Sequence, residues 1–159
     1  MNARILILSD AAARGERKDL SGPALRDALD AAGWTVASIE ILPDDLLTIQ
    51  RTLKALSDGG ECDLIVTTGG TGVGPRDVTP EATVAVCERL LSGVAERMRS
   101  EGTKKTKFAA LSRGVCGIRG RALILNLPGS PSGAVESLEA VAGLIPHALD
   151  LLSGKTEHR

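Results

Sequence analysis

In the segment CDLIVTTGGTGVGPRDVTPEAT, residues 62–83, an apolar run (Leu64, Ile65, Val66) gives way to Gly69, Gly70, Gly72 and Gly74, then to Pro75, Arg76 and Asp77, and then to Thr79-Pro80. Glycine tolerates positive φ and leaves room for a ligand beside the main chain. A strand–loop–helix turn built this way can aim several N–H groups at one anion, and phosphate is the anion it suits. A turn that binds nothing also uses glycine, but it has no need of the adjacent Arg76–Asp77 pair. The glycine spacing is not Gly-x-Gly-x-x-Gly, and no Gly-Lys-Ser/Thr follows, so the loop is neither a dinucleotide fingerprint nor a P-loop. Thr79 is the expected N-cap of the next helix, with Pro80 at its first position.

Other side chains narrow the chemistry. Cys62, Cys87 and Cys116 are odd in number and contain no Cys-x-x-Cys pair, which suggests neither a disulfide framework nor a zinc site. His147 lies on an apolar helix, where a structural role is the simpler reading, and His158 falls in the polar tail. One Trp, one Phe and no Tyr leave no aromatic clamp for a planar ligand, so main-chain groups and hydrogen-bonding side chains must do the gripping. The cluster Lys104, Lys105 and Lys107 suits a solvated turn better than a binding patch.

The elements that must position the loop follow from hydrophobic pattern. Ala3–Leu8 is a short apolar run of the kind found in strands covered on both faces, and Thr35–Leu42 is a second expected strand, broken by Pro43. Helices follow from Ser21-Gly22-Pro23 to Gly33 and from Asp44 to Asp58, the second with Leu46, Ile49, Leu53 and Leu56 on one face. Residues 11–19, between the first strand and its helix, form a surface loop at the strand edge where α/β proteins bind ligands, and are equally compatible with plain solvated chain. Pro80–Leu91 and Val94–Ser100 are expected helices. Phe108–Leu111 and Ala122–Leu127 are expected strands, one of them antiparallel, which makes the sheet mixed. The turn Asn126-Leu127-Pro128-Gly129-Ser130 leads to a last helix from about Ser132, which Pro146 would kink. Alternating strands and helices point to an α/β fold with a mostly parallel sheet.

At 159 residues one domain is expected, here residues 1–154 with a polar tail at 155–159. A formal charge of −1 gives no electrostatic case for nucleic acid or an anionic membrane as partner. No secretory leader pattern opens the sequence and no apolar run approaches the ~20 residues of a membrane span, so the expected compartment is the cytoplasm.

Three separated segments, ILSD near the start, TTGGTGVGPRDVTPEAT in the middle and LSRGVCGIRGRALILNLPGSPSGAVE near the end, resemble in that order the MoaB/Mog family of molybdenum-cofactor biosynthesis. The Pro-Arg-Asp-Val-Thr-Pro-Glu run looks more like the Mog branch, the molybdopterin adenylyltransferases. The resemblance implies a three-layer α/β/α sandwich that assembles as a homotrimer. It also implies transfer of AMP from ATP to the terminal phosphate of molybdopterin, with release of pyrophosphate and help from Mg2+ or another divalent ion.

By the same resemblance Asp44 and Asp77 are the catalytic and metal-holding aspartates, although Asp44 also suits a helix N-cap. Asp10, Thr68, Gly69, Gly70, Thr71, Gly72, Gly74 and Arg76 would bind molybdopterin or nucleotide. So would Ser112, Arg113, Asn126, Pro128, Gly129 and Ser130, although the last four also suit a plain strand-to-helix turn. Product would be handed to a molybdate-insertion (Moe-type) protein. The alternative is a non-catalytic, MoaB-like trimer that binds molybdopterin as a scaffold.

Overall fold

The computed structural model describes residues 1–155; the expected tail beyond Lys155, His158 included, lies outside the described residues. Six strands form one sheet: β1 (Asn2–Leu8), β2 (Thr35–Leu42), β3 (Leu64–Thr68), β4 (Arg89–Leu90), β5 (Cys116–Arg119) and β6 (Ala122–Leu127). Their order across the sheet is β2-β1-β3-β6-β5-β4. β2, β1, β3 and β6 run parallel, and β5 pairs antiparallel with both neighbours. The sheet is mixed, as the sequence led us to expect.

Alternation along the central strands feeds two cores. Ile5, Ile7, Leu64, Val66, Leu123 and Leu125 face one side, where they meet α2 (Ser21–Ala31), α5 (Ser92–Thr103), α6 (Pro131–Val141) and α7 (Ile145–Leu152). Leu6, Leu8, Ile65 and Ile124 face the other, against Ile49 and Leu53 of α3 (Leu46–Asp58) and Ala82 and Val86 of α4 (Thr79–Val86). The result is the α/β/α sandwich. β1, β3 and β6 are almost wholly buried because helices cover both of their faces.

Several elements depart from expectation. The apolar run 108–111 is not a strand but part of a 3-10 turn, Lys107–Leu111, with Phe108 67% exposed and Thr106 capping it through the Phe108 N–H. Periodicity cannot type so short a run. The antiparallel partner of β6 is instead β5, joined to it by the two-residue turn Gly120–Arg121, where Gly120 takes φ +57°. The helix expected over 80–91 stops at Val86, and Arg89–Leu90 becomes the edge strand. The single last helix is two: Pro146 sits in the first turn of α7, where a missing N–H costs nothing, so it starts a helix rather than kinking one. Residues 10–13 form a short helix, α1 (Asp10–Ala13), capped by the Ser9 hydroxyl.

Candidate functional site

The carboxyl ends of the four parallel strands converge on a cleft of about 400 Å³. Its lining comes from the turn after β1 (Leu8, Ser9), the chain before α2 (Arg17 to Ser21), Asp44 after β2, Thr68 to Gly70 and Asp77 after β3, and Gly129 to Pro131 after β6. Open parallel sheets bind ligands at this edge because the chain leaves the strands there in loops that diverge.

The turns are stitched together by backbone. Gly69 N–H donates to Leu127 O at 3.2 Å, and the Thr68 hydroxyl donates to Pro128 O at 2.6 Å. From α2, the Ser21 hydroxyl donates to Gly129 O at 2.9 Å. Gly69 adopts φ +101° and Gly70 φ +65°. A Cβ on Gly69 would collide with the Leu8 carbonyl oxygen, and one on Gly129 would lie 3.4 Å from the Gly69 Cα. At Gly69, glycine is therefore required by packing between turns as well as by φ.

Thr79 corrects a sequence expectation. It does not cap α4; it is the helix's first residue, fully buried, and its hydroxyl donates to Gly69 O at 2.9 Å while its N–H donates to Gly70 O at 3.2 Å. The side chain that suited a cap fixes the glycine turn instead. The alternative for Asp44 is resolved in the same way. Asp45 is the N-cap of α3, accepting from Thr48 N–H at 2.9 Å, and Asp44 is left free to face the cleft.

Asp44 and Asp10 form a reciprocal clasp between the ends of β1 and β2. Asp10 N–H donates to Asp44 Oδ2 at 3.0 Å, and Asp44 N–H donates to Asp10 Oδ1 at 2.9 Å. Arg76 reaches back from the glycine loop to Asp10, at 3.0 Å from Nε to Oδ2. That hydrogen bond, helped by the Asp44 amide, holds the Asp10 carboxyl below its usual range. Asp44 is pushed the opposite way: burial disfavours its charge, and the carboxylates of Asp10 and Asp77 add to the effect. Asp44 Oδ1 is buried and has no hydrogen-bond partner. It lies 3.1 Å from where a Gly70 Cβ would be. A desolvated, unpaired carboxylate oxygen beside glycine is a site poised for a cation.

Asp77 closes its own loop, accepting from Gly74 N–H at 2.9 Å and donating its N–H to Gly74 O at 3.0 Å. Its carboxylate fills the space beside Gly72 and Gly74, where added Cβ atoms would stand 2.9 and 3.0 Å from Oδ2.

Of the residues singled out from sequence, Asp44, Thr68, Gly69, Gly70, Asp77, Gly129 and Ser130 line the cleft. Asp10 and Arg76 support Asp44 from behind. Thr71 is buried, and its carbonyl accepts from Arg113 N–H at 2.8 Å. Arg113 turns its guanidinium to the loop, with Nε on Gly72 O at 2.7 Å, Nη2 on Asp77 O at 2.9 Å and Nη1 on the Glu81 carboxylate. Asn126 is a core residue, 1% exposed, donating to the Thr67 and Thr83 hydroxyls and accepting from Val115 N–H. Ser112 and Pro128 border a separate hollow of about 40 Å³ under α5.

In the 11–19 loop, expected at the ligand-binding edge or in solvent, sequence reasoning does not single out Arg17, Lys18 and Asp19, yet they line the wall, as does Ser21, read only as a helix start. Asp19 caps α2 through the N–H groups of Ser21 and Gly22, which brings the preceding cations to the cleft rim. The signal available was positional: this loop leaves the carboxyl end of a buried strand. Across from it, the Ser130 hydroxyl accepts from Gly133 N–H and caps α6, so the positive end of that helix also points at the cleft.

The family model described as "Probable molybdopterin binding domain" matches residues 4–147. A protein of Helicobacter pylori (strain J99) named molybdopterin adenylyltransferase is 43% identical over 152 residues, which cover 94% of this chain and 86% of that one. A protein of Escherichia coli K12 with the same name is 40% identical over 164 residues, covering 94% and 84%. Among solved structures, the molybdopterin biosynthesis enzyme MoaB of Thermus thermophilus superposes with a TM-score of 0.91 at 52% identity, covering 97% of each chain. The Mog protein of Mycobacterium ulcerans superposes with a TM-score of 0.88 at 38% identity, covering 96% of this chain and 97% of the other. Cleft, glycine loop and relatives agree, and the chain belongs to the MoaB/Mog family of molybdenum-cofactor biosynthesis.

Proposed function

We propose that this chain is a molybdopterin adenylyltransferase: it transfers AMP from ATP to the terminal phosphate of molybdopterin and releases pyrophosphate. The observation that carries the reading is the cleft itself, where a glycine turn stands beside two carboxylates, Asp44 and Asp77. Two curated relatives at 40–43% identity bear that name.

The chemistry suits these residues. A terminal phosphate oxygen of molybdopterin forms a bond to the α-phosphorus of ATP. The bond from that phosphorus to the bridging oxygen breaks, and pyrophosphate leaves with the electron pair. The nucleophile is already an anion, so no serine or cysteine has to be activated; burial pushes the thiols of Cys62, Cys87 and Cys116 up to about 11, 11 and 12, which disfavours their thiolates. What the protein must do is bring two polyanions together in line. The Gly70 amide, the α6 N-terminus at Ser130, and Arg17 and Lys18 at the rim would offset their charge.

Mg2+ fits the donor set. Among the described residues no cluster of three or more His, Cys, Asp or Glu is arranged to hold a metal. Mg2+ with a nucleotide needs only one or two protein carboxylates, the rest being phosphate oxygens and water. Asp44, with its orphaned Oδ1, and Asp77 would provide them. Bound there, the ion would neutralise phosphate charge and draw both substrates to one point. We further propose one domain over residues 1–154, a homotrimer in the cytoplasm, and hand-over of product to a Moe-type protein.

A second reading is a MoaB-like scaffold that binds molybdopterin without turnover; the 52% identity to the Thermus MoaB ties the chain to that branch, although that protein is itself described as an enzyme. The two separate on incubation with molybdopterin, ATP and Mg2+. The enzyme yields adenylylated pterin and pyrophosphate, and the scaffold yields neither.

A further inference from the structure

Arg113 is a basic residue to which the sequence resemblance gives molybdopterin or nucleotide binding, yet it is not among the residues lining the cleft. Each of its three guanidinium nitrogens already has a partner: Nε the Gly72 carbonyl at 2.7 Å, Nη2 the Asp77 carbonyl at 2.9 Å, Nη1 the Glu81 carboxylate. Its own N–H holds the Thr71 carbonyl at 2.8 Å. The segment carrying it is braced in turn by Arg99, whose Nη1 donates to the carbonyls of Ser112 at 3.3 Å and Gly114 at 3.0 Å. The carbonyls of Thr71, Gly72 and Asp77 are therefore all engaged by one residue from outside the cleft.

We infer that Arg113 is a positioning residue for adenylyl transfer, a clamp that fixes the outer side of the 71–77 loop and so holds the Asp77 carboxylate at the cleft. The inference rests on the adenylyltransferase reading for its catalytic consequence, and on the hydrogen bonds alone for the clamp. A planar fork is what the task needs, because the three acceptors lie in different directions and one ammonium cannot reach all of them with the same geometry. Apart from the exposed Arg76–Asp10 pair, the loop has little else to fix it. Gly72 and Gly74 contribute no side-chain packing, Val73 is 70% exposed, and the contact that closes the loop on itself is the Asp77–Gly74 pair. Glu81, on the first turn of α4, fixes the fork to the helix that follows the loop. The Arg113–Glu81 pair is half exposed, so it adds little to global stability and its loss should leave the protein folded.

The test is Arg113→Lys, with Glu81→Gln as a milder companion, read in two ways. In the ligand-free protein, amide hydrogen exchange of residues 71–77 should quicken in Arg113→Lys while the β3 and β6 amides stay as in wild type. In the assay with molybdopterin, ATP and Mg2+, kcat should fall about ten- to a hundred-fold, the range a small misplacement at the reacting centre produces. The Mg2+ concentration for half-maximal rate should rise, and KM for molybdopterin should stay within about two-fold. Glu81→Gln, which keeps both carbonyl bonds, should show the same pattern more weakly.

Unchanged exchange in the loop overturns the clamp whatever the kinetics show. A raised KM for molybdopterin with unaltered Mg2+ dependence overturns it in favour of direct phosphate binding. A lowered Tm with wild-type kcat in the folded protein overturns the positioning role. A wild-type protein that forms no adenylylated product sinks the function reading instead, and the exchange measurement still decides the clamp.

Discussion

Two aspartates of the cleft should answer differently to the same change. Asp77→Asn can keep the hydrogen bond from Gly74 N–H, so melting should stay close to wild type. Loss of its charge should cost turnover roughly ten- to a thousand-fold, equivalent to one to a few kcal/mol of transition-state stabilisation, and pterin affinity far less. Asp44→Asn should cost turnover similarly yet melt no lower than wild type at pH 7, because the ionised side chain is the disfavoured form in the folded state. The sign follows from proton linkage. With the folded Asp44 raised above its usual 3.8, the folded protein binds more protons than the unfolded chain just above that value, and wild-type stability falls as pH rises through the window. The advantage of Asp44→Asn should therefore be present at pH 7 and vanish below pH 3.8 in thermal melts. Asp10 contributes with the opposite sign: its depressed carboxyl favours folding above the usual value and loses that effect as pH falls through the lowered one. Asp44 and Asp77 could be picked only through the resemblance, Asp77 from the matching Pro-Arg-Asp run after the glycines and Asp44 from its place after β2, a half-exposed edge strand whose own pattern does not mark a site. Arg113 could not be assigned, since its partners Gly72, Asp77 and Glu81 lie 41, 36 and 32 residues away.

The glycine loop is the element on which the site depends, and its glycines do separate things. Gly70→Ala forces a side chain to φ +65° and into the Thr79 hydroxyl, itself buried and bonded to Gly69 O. Strain of about 1–3 kcal/mol should lower Tm by several degrees in a chain of this size, with pterin binding lost as well. Gly74→Ala meets only the Asp77 carboxylate, at 3.0 Å. It should melt near wild type but lose turnover, since what moves is the proposed metal-holding group. Differential scanning calorimetry beside pterin titration separates the two. The loop's existence and its strand–helix setting were readable because buried apolar residues, glycine and proline each restrict the chain locally. The role of Thr79 was not, because a hydroxyl at a helix start caps or bonds outward according to what packs against it. The run 108–111 was misread for the same reason: four apolar residues type a strand only if a sheet receives them, and here the sheet's place beside β6 is taken by β5.

At the scale of the molecule, the two-faced burial of β1, β3 and β6 was legible as continuous apolar runs, which is why the sandwich could be foreseen. How the last helices divide was not, because Pro146 suits a kink and a helix start equally. In solution the chain should scatter light as a trimer of about three times its 16.5 kDa. Val73, Phe108 and Leu111 are 70%, 67% and 55% exposed on the single chain, apolar surface of the kind the proposed trimer would cover. A monomeric mass at micromolar concentration would remove the trimer and leave the cleft reading intact. Whether the chain carries out the reaction is decided by product analysis of wild-type protein incubated with molybdopterin, ATP and Mg2+. Adenylylated molybdopterin and pyrophosphate should form in equal amounts, dependent on the divalent ion. Folded protein that binds molybdopterin and forms neither product would contradict the adenylyltransferase reading.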